Sequence, residues 1–284
     1  MNHAVEITIE ISGLKLAAKR WGIAGNPPIL ALHGWLDNAG TYDLLAPLLD
    51  DFEVVAVDFP GNGWSESFPE GTFFHFIDLV QLVIEIAHQL GWDQFILMGH
   101  SMGAGVATLT AGTIPERISL LILIEGLGPL TELPQAAPQL LRDSITQWQL
   151  HKTRELKPSV IALEQAVKIR QKAGNLSEQA ARPLAQRGTI ACENGVTWNL
   201  DRRWKVPSRL RLTQEQVLAF IDEITAPVLL LTSDTGFVPQ RDAMEIRYQH
   251  VKNLTHVSLS GGHHLHLENP EVTATTIKKF LAQR

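Results

Sequence analysis

The chain lacks the residues for a disulfide framework or a multi-cysteine metal centre, because Cys192 is its one cysteine among 284 residues. It also lacks an excess of basic charge. Its 24 lysines and arginines stand against 30 aspartates and glutamates, for a formal net charge of −6. A dedicated nucleic-acid binder would need a basic footprint, so we expect no nucleic-acid partner. The cysteine usage is typical of a reducing compartment, and we expect a cytoplasmic protein.

Long hydrophobic runs are missing as well. No apolar stretch approaches the ~18 residues of a membrane-spanning helix, and no basic region followed by an apolar one marks a secretory signal at the N-terminus. A hydrophobic content of 45% still allows a large buried core. We therefore expect a globular protein without a membrane span whose partner is a small molecule. The sequence leaves its oligomeric state open.

Short apolar segments alternate with helical patterns toward both ends of the chain. Val5–Ile11 alternates apolar and polar side chains, which is typical of a half-buried strand, whereas segments without polar alternation are typical of strands buried on both faces of a sheet. Strands are predicted at Val5–Ile11, Leu14–Trp21, Ile29–Leu32, Phe52–Val57, Phe95–Met98, Leu120–Ile124, Val228–Thr232 and Thr255–Leu259. Helices are predicted at Thr41–Leu49, Phe74–Leu90, Ala104–Gly112, Val160–Lys172, Gln214–Asp222, Arg241–Gln249 and Glu271–Leu281. This alternation favours βαβ units and a mostly parallel sheet, the α/β class.

The alternation stops once, between residues 126 and 224, where helical segments occur without a buried strand. We predict that residues 1–125 and 225–284 form one core and that residues 126–224 are an insertion. The insertion has 14 lysines and arginines against 10 acidic residues, a net charge of +4, which leaves −10 for the rest. Such an asymmetry can attract an anionic substrate or can belong to a solvated helix face.

The strongest motif is Gly99-His100-Ser101-Met102-Gly103, which lies between a predicted strand and a predicted helix. A Gly-x-Ser-x-Gly sequence in that context is the nucleophile elbow, a tight turn that presents the serine above the sheet. The two glycines remove side chains where strand and helix approach each other. The motif predicts Ser101 as a nucleophile and the backbone N–H of Met102 as a donor to an oxyanion.

The loop after the third predicted strand contains His33, Gly34 and Trp35. A loop at this place in such a sheet can supply the second oxyanion donor, here the backbone N–H of Trp35. We take His33, Gly34 and His100 as candidate substrate-binding residues because they flank these donors. Trp148 in the insertion is a further candidate, as a wall of an apolar pocket, although packing within the insertion explains it equally well.

A general base is expected on the loop after the last strand, where three histidines lie close together. His263 directly follows two glycines and is nearest the strand end, so it is the favoured base, with His264 and His266 as alternatives. The ligand spacing of a recognisable metal site is missing here, and we expect neither a metal nor another cofactor.

Two carboxylates qualify as the acid that orients the base. Glu125 ends the predicted strand Leu120–Ile124, and Asp234 follows the strand Val228–Thr232. Either one gives the chain order serine, acid, histidine. The residues alone leave both open.

Together the elbow, the loop at Trp35, the loop Asp58–Ser65 and the closing glycine–histidine run resemble the α/β-hydrolase superfamily. The run Leu32–Ala39 is similar to the serine hydrolase-like group, near the mesoderm-specific-transcript and epoxide-hydrolase-like branches. The resemblance implies an eight-stranded, mostly parallel sheet. It also implies a helical lid between strands six and seven that covers the site.

The resemblance also bears on the acid. It places the usual aspartate near Thr235 or Gly236, offset from Asp234. Some relatives, including haloalkane dehalogenases, carry the acid after the sixth strand, where Glu125 stands. The resemblance therefore favours Glu125 over Asp234.

A serine at the elbow excludes the aspartate-nucleophile chemistry of the epoxide hydrolases and haloalkane dehalogenases that the scaffold resembles. The expected function is a carboxylesterase-like serine hydrolase that cleaves an ester or related carbonyl substrate through an acyl-enzyme. One alternative is a non-catalytic ligand-binding protein on the same scaffold. Another is a C–C hydrolase, acyltransferase or perhydrolase that uses the same three residues.

Overall fold

One sheet of eight strands organises the computed structural model, which describes residues 3–11, 13–153, 159–236 and 241–283. The strands in chain order are β1 (Val5–Ile11), β2 (Leu14–Trp21), β3 (Pro28–Leu32), β4 (Glu53–Val57), β5 (Phe95–His100), β6 (Ile118–Ile124), β7 (Thr189–Cys192), β8 (Gly195–Trp198), β9 (Val228–Ser233) and β10 (Leu254–Leu259). The sheet has the order β1-β2-β4-β3-β5-β6-β9-β10, while β7 and β8 form a separate hairpin. From β4 to β10 all neighbouring strands are parallel, and β1 and β2 add an antiparallel edge. The predicted α/β class with a mostly parallel eight-stranded sheet is confirmed.

The helices lie between these strands and cover both faces of the sheet. They are α1 (Asp78–Gln89), α2 (Met102–Thr113), α3 (Ala137–Thr153), α4 (Leu163–Gly174), α5 (Glu178–Arg187), α6 (Gln214–Asp222), α7 (Arg241–His250), α8 (Leu265–Glu268) and α9 (Pro270–Leu281). Strand β3 shows why both faces need cover. Ile29 and Ala31 belong to the apolar cluster that includes α9, whereas Leu30 and Leu32 belong to the cluster formed with α1 and α2. No described helix is both long and apolar enough to cross a membrane.

The predicted helices differ most from the structure at two places. The prediction of a helix over Thr41–Leu49 is wrong, because this segment forms two short 3-10 turns, Ala39–Tyr42 and Ala46–Leu48. Pro47 within the second turn has no N–H to donate to a longer helix. The helix predicted from Phe74 begins only at Asp78.

Helices α3 to α6 lie between β6 and β9 in the described part of the chain, together with the β7–β8 hairpin. Helices α4 and α5 enclose a small apolar core of their own, which also contains Leu267 of α8. Helix α6 behaves differently, since Val217 and Ile221 are buried in the main core beside α2. We call residues 126–224 the insert below.

A buried ion pair joins the insert to the sheet. Arg187, at the end of α5, donates through Nε to both oxygens of Asp58 at 2.9 and 3.0 Å and through Nη1 to Glu6 at 2.9 Å. The Asp58 side chain is fully buried after β4, and the Arg187 side chain is only 4% exposed. Asp58 also accepts the backbone N–H groups of Ala39 and Trp64. This carboxylate therefore holds two loops of the core and one end of the insert in place.

We expect Arg187→Met to lower the free energy of unfolding by about 3–5 kcal/mol, because it leaves the buried Asp58 charge without its partner. Urea denaturation measures the change. Lys278→Met is the matched control, since Lys278 pairs with Asp50 on an open surface and its removal should cause no measurable change. Equal effects of the two variants would contradict this role of the buried pair.

Candidate active site

Ser101 lies in a tight turn between β5 and α2, with φ 52° and ψ −113°. The neighbouring glycines explain how the turn is accommodated. A Cβ atom at Gly103 would lie 2.2 Å from the carbonyl oxygen of Leu32, and one at Gly99 would lie 2.3 Å from the carbonyl oxygen of Gly103. Helix α2 thus begins in direct backbone contact with β3 and β5. The turn sets the serine at the carboxyl edge of the sheet.

A hydrogen-bonded series links Ser101 to a histidine and a buried carboxylate. Ser101 Oγ lies 2.9 Å from His263 Nε2, and His263 Nδ1 lies 3.1 Å from Glu125 Oε2. Glu125 follows β6 with φ 57°, and its side chain is fully buried. Its other carboxylate oxygen accepts the backbone N–H of Ser233. A carboxylate at Nδ1 holds the ring so that Nε2 can take a proton from the serine hydroxyl.

The other candidate acid, Asp234, forms its side-chain hydrogen bonds with the loop before His263 and not with the His263 ring. Its carboxylate accepts the hydroxyl of Ser260 at 3.1 Å and the backbone N–H of Gly261 at 3.0 Å. The Gly261 N–H is the main reason that the pKa of Asp234 is lowered. The structure brings Glu125 and not Asp234 to His263. Asp234 fixes the loop that leads to the histidine.

The absence of a side chain at Gly236 explains why the carboxylate of Glu125, which follows β6, can reach His263. A Cβ atom at residue 236 would lie 2.1 Å from Glu125 Oε2 and 1.9 Å from Ser233 Oγ. The carboxylate of Glu125 therefore fills the space that a side chain after β9 would need. The family resemblance places its usual aspartate near this position, where this chain has glycine.

Two backbone N–H groups are available beside Ser101. Met102 is the first residue of α2, and a helix leaves its first N–H groups without intrahelical partners. Trp35 follows β3 in a turn closed by the N–H of Asp37 on the carbonyl of Gly34, at 3.2 Å. Neither N–H donates to an acceptor in the described part of the chain. The indole Nε1 of Trp35 donates to the carbonyl of Trp204 in the insert at 3.0 Å.

The two histidines predicted to bind substrate, His33 and His100, are buried, and the structure gives both of them contacts within the protein instead. His33 Nδ1 lies 2.7 Å from the carbonyl of Gly34, and its Nε2 accepts the N–H of Phe59 at 3.0 Å. Burial lowers the pKa of His33. His100 donates Nε2–H to the carbonyl of His263 at 2.9 Å and is 1% exposed. Both rings contact backbone groups and hold loops of the site in place.

The remaining predicted residues have other contacts. Gly34 lies against His100, since a Cβ atom there would be 2.9 Å from His100 Nδ1. The Trp148 ring packs against the Phe73 ring, with 4.5 Å between the ring centroids, where the insert meets the segment before α1. Of the alternative bases, His266 Nε2 lies 2.8 Å from Thr41 Oγ1, away from the serine.

Asp37 is the central residue that motif reasoning missed. Its buried carboxylate accepts Nε2–H of His264 at 3.0 Å and forms an ion pair with Arg170 of α4. Its backbone N–H closes the turn around Trp35. Burial would by itself raise the pKa of Asp37, but the charges of His264 and Arg170 outweigh it and hold that pKa well below its usual value. Asp37 thus joins the Trp35 loop, the His263 loop and the insert.

Asp37, His100 and His264 also form a group whose potential ligand atoms all lie within 4.8 Å of one another. Two imidazoles and a carboxylate are a donor set that suits zinc. The charge argues against a metal here, because Arg170 already neutralises Asp37. A divalent ion would add uncompensated charge to a buried cluster. The geometry favours an ion-pair network.

The comparisons with known sequences agree with this architecture. A family model described as α/β hydrolase fold matches residues 27–270. A serine hydrolase-like protein of Dictyostelium discoideum is 32% identical over 298 aligned positions, which cover 99% of this chain and 82% of that protein. A serine hydrolase-like protein of Danio rerio is 32% identical, with 98% of this chain and 88% of that protein covered.

Solved structures give the same result. The crystal structure of a hypothetical protein from Pseudomonas aeruginosa PAO1 has a TM-score of 0.91 and 39% identity, covering 98% of this chain and 99% of that one. A thioesterase domain from the curacin biosynthetic pathway has a TM-score of 0.83 and 26% identity, covering 98% of this chain and all of that domain.

We expect Gly236→Ala to slow the reaction of Ser101 with a fluorophosphonate probe by about tenfold or more, because the added methyl group displaces the Glu125 carboxylate from His263. The labelling rate is the measurement. Gly262→Ala is the control, since a Cβ atom there meets nothing within 4 Å. Unchanged labelling of a folded Gly236→Ala protein would contradict the contact between residue 236 and Glu125.

We expect Asp37→Asn to lower the free energy of unfolding at neutral pH by about 3–5 kcal/mol, because Arg170 loses its buried partner. The lowered pKa of Asp37 sets the pH dependence. The stabilisation is fully present above the unfolded-state pKa of about 4 and is lost as the pH falls below it. Urea denaturation from neutral to acid pH should show the two proteins converging. A constant difference would contradict the ion pair.

Proposed function

This chain is a hydrolase of the α/β-hydrolase family, related to the serine hydrolase-like proteins, and on that premise we propose that it cleaves carboxylic esters or related carbonyl substrates through an acyl-enzyme. The observation that carries the proposal is the series from Ser101 through His263 to Glu125. Nucleophile, base and orienting acid are within hydrogen-bond reach of one another.

In the first half-reaction Ser101 Oγ attacks the substrate carbonyl carbon while His263 Nε2 takes the hydroxyl proton. Glu125 stabilises the imidazolium that forms. The negative charge on the carbonyl oxygen is received by the N–H groups of Trp35 and Met102, and one such donor is worth about 10²–10³ in rate. Collapse of the intermediate releases the alcohol, which takes the proton from His263, and leaves the acyl group on Ser101.

In the second half-reaction water gives a proton to His263 and attacks the acyl carbonyl. The same two N–H groups receive the oxyanion, and the proton returns to Ser101 as the acid leaves. The similarity to a thioesterase domain supports an acyl-transfer reaction, since that protein is named for cleaving an acyl group from sulfur.

We also propose that the insert is a lid over the active site. Its Trp204 accepts a hydrogen bond from the indole of Trp35, and its Arg170 pairs with Asp37. Both contacts fall on the loop that carries a proposed oxyanion donor, which supports a lid that covers the substrate. We also propose that the protein is cytoplasmic. The exposed free thiol of Cys192 is consistent with a reducing compartment.

We expect Glu125→Gln to lower kcat on short p-nitrophenyl esters by about 10³–10⁴, because an amide fixes the wrong tautomer of His263. Asp234→Asn is the matched control and should stay within about threefold of the wild type, because Asp234 contacts only the loop before His263. Ser101→Ala should abolish turnover. Steady-state kinetics measure these effects, with circular dichroism to check folding.

The opposite ranking of the two acid variants would assign the acid to Asp234. A folded wild type that turns over no member of an ester panel and is not labelled by a fluorophosphonate would overturn the proposal. It would leave the ligand-binding alternative in its place.

A further inference from the structure

A cavity of about 490 Å³ lies between the insert and two loops of the core. Leu36 and Asp37, after β3, form part of its wall, and Arg170, Trp198, Arg202 and Lys205 contribute from the insert. We call it the basic pocket. A cavity of this size is within the range that holds a small molecule.

The charges around the basic pocket are unbalanced. Asp37 is the one carboxylate among the described residues that line it, and Arg170 already neutralises that charge. Arg202 and Lys205 form no ion pair with another described residue. In addition, the Nε atom of Arg170 is buried without a hydrogen-bond partner in the described chain. Arg202 and Lys205 therefore give the described lining of the pocket a surplus of positive charge.

The basic pocket adjoins the loop that carries one of the two proposed oxyanion donors. Leu36 and Asp37 directly follow Trp35, whose N–H is one of the two proposed donors. Leu36 has a φ of 60°, so the chain turns sharply between the oxyanion donor at Trp35 and the pocket wall at Asp37. Apolar side chains, among them Ile169, Leu184 and Trp198, line the pocket beside the cations. A ligand suited to it combines a hydrocarbon segment with an anionic group.

We propose, on the basis of the proposed esterase function, that the basic pocket binds an anionic group of the substrate, so that the preferred substrates are esters carrying a carboxylate remote from the scissile bond. Arg202 and Lys205 are the specificity-determining residues. Their charges attract the anion and are screened by salt, as expected for pairs near a protein surface.

Pairs of esters that differ in the presence of a remote carboxylate test this preference for anionic substrates. On the acyl side, mono-p-nitrophenyl adipate is compared with p-nitrophenyl hexanoate, and on the alcohol side 4-acetoxybenzoate is compared with phenyl acetate. We expect the anionic member of one pair to have the higher kcat/KM at low salt, and the pair that shows the preference identifies which side of the ester enters the pocket. Arg202→Gln and Lys205→Gln should each reduce the preference about two- to fivefold, and added salt should reduce it as well.

Lys172→Gln is the control variant, because Lys172 is exposed on the same helix as Arg170 but does not line the pocket. It removes the same charge from the insert and should leave the preference unchanged. Calorimetric titration of Ser101→Ala with adipate gives a readout that needs no turnover. Binding should weaken in the Arg202→Gln and Lys205→Gln backgrounds.

Equal kcat/KM within both pairs, or an equal loss in Lys172→Gln and Lys205→Gln, would overturn the inference. Turnover of the neutral esters in that case would leave the proposed esterase function intact. Adipate binding that depends on Arg202 and Lys205, without turnover of any ester, would instead support the pocket and contradict the esterase function.

Discussion

The backbone at Ser101 is the constraint on which the rest of the site depends. Helix α2 starts so close to β3 and β5 that neither Gly99 nor Gly103 has room for a Cβ atom. Ser101 makes this turn at φ 52° and ψ −113°, a sparsely populated conformation that costs about 1–3 kcal/mol and is held by the buried strands around it. The same turn places the serine hydroxyl and the free N–H of Met102 at one edge of the sheet.

Three buried carboxylates then hold distant segments around that turn. Glu125 joins β6 to His263, Asp37 joins the Trp35 loop to the His263 loop and α4, and Asp58 joins the core to Arg187 of the insert. Each carboxylate accepts at least two hydrogen bonds, and Asp37 and Asp58 also have an arginine partner, as burial requires. Only the first of them touches the proposed base, so loss of the others should act on loop position and stability.

The sequence predicts the parts of this site that short patterns specify. The elbow at Ser101 is contiguous and its glycines are required by close packing, so its position is evident from the chain alone. The central strands of the sheet are evident because strands buried on both faces have no polar alternation, and β1 is evident because its apolar and polar side chains alternate. Helix α5 was missed, since Pro183 lies inside it and disfavours a helix.

Tertiary contacts decide what the patterns leave open. His33 and His100 stand next to proposed oxyanion donors in the sequence, but their rings point into the protein and hold loops. The choice between Glu125 and Asp234 depends on which carboxylate fits beside His263. That fit is set by the missing side chain of Gly236, a residue that forms no motif with either acid.

If Ser101, His263 and Glu125 act together with the N–H groups of Trp35 and Met102, a crystal structure of the protein after reaction with a fluorophosphonate should show it. We expect phosphorus bonded to Ser101 Oγ, a phosphonyl oxygen within hydrogen-bond distance of both N–H groups, and His263 Nδ1 still paired with Glu125. An adduct on another residue, or an oxygen turned away from both N–H groups, would contradict it.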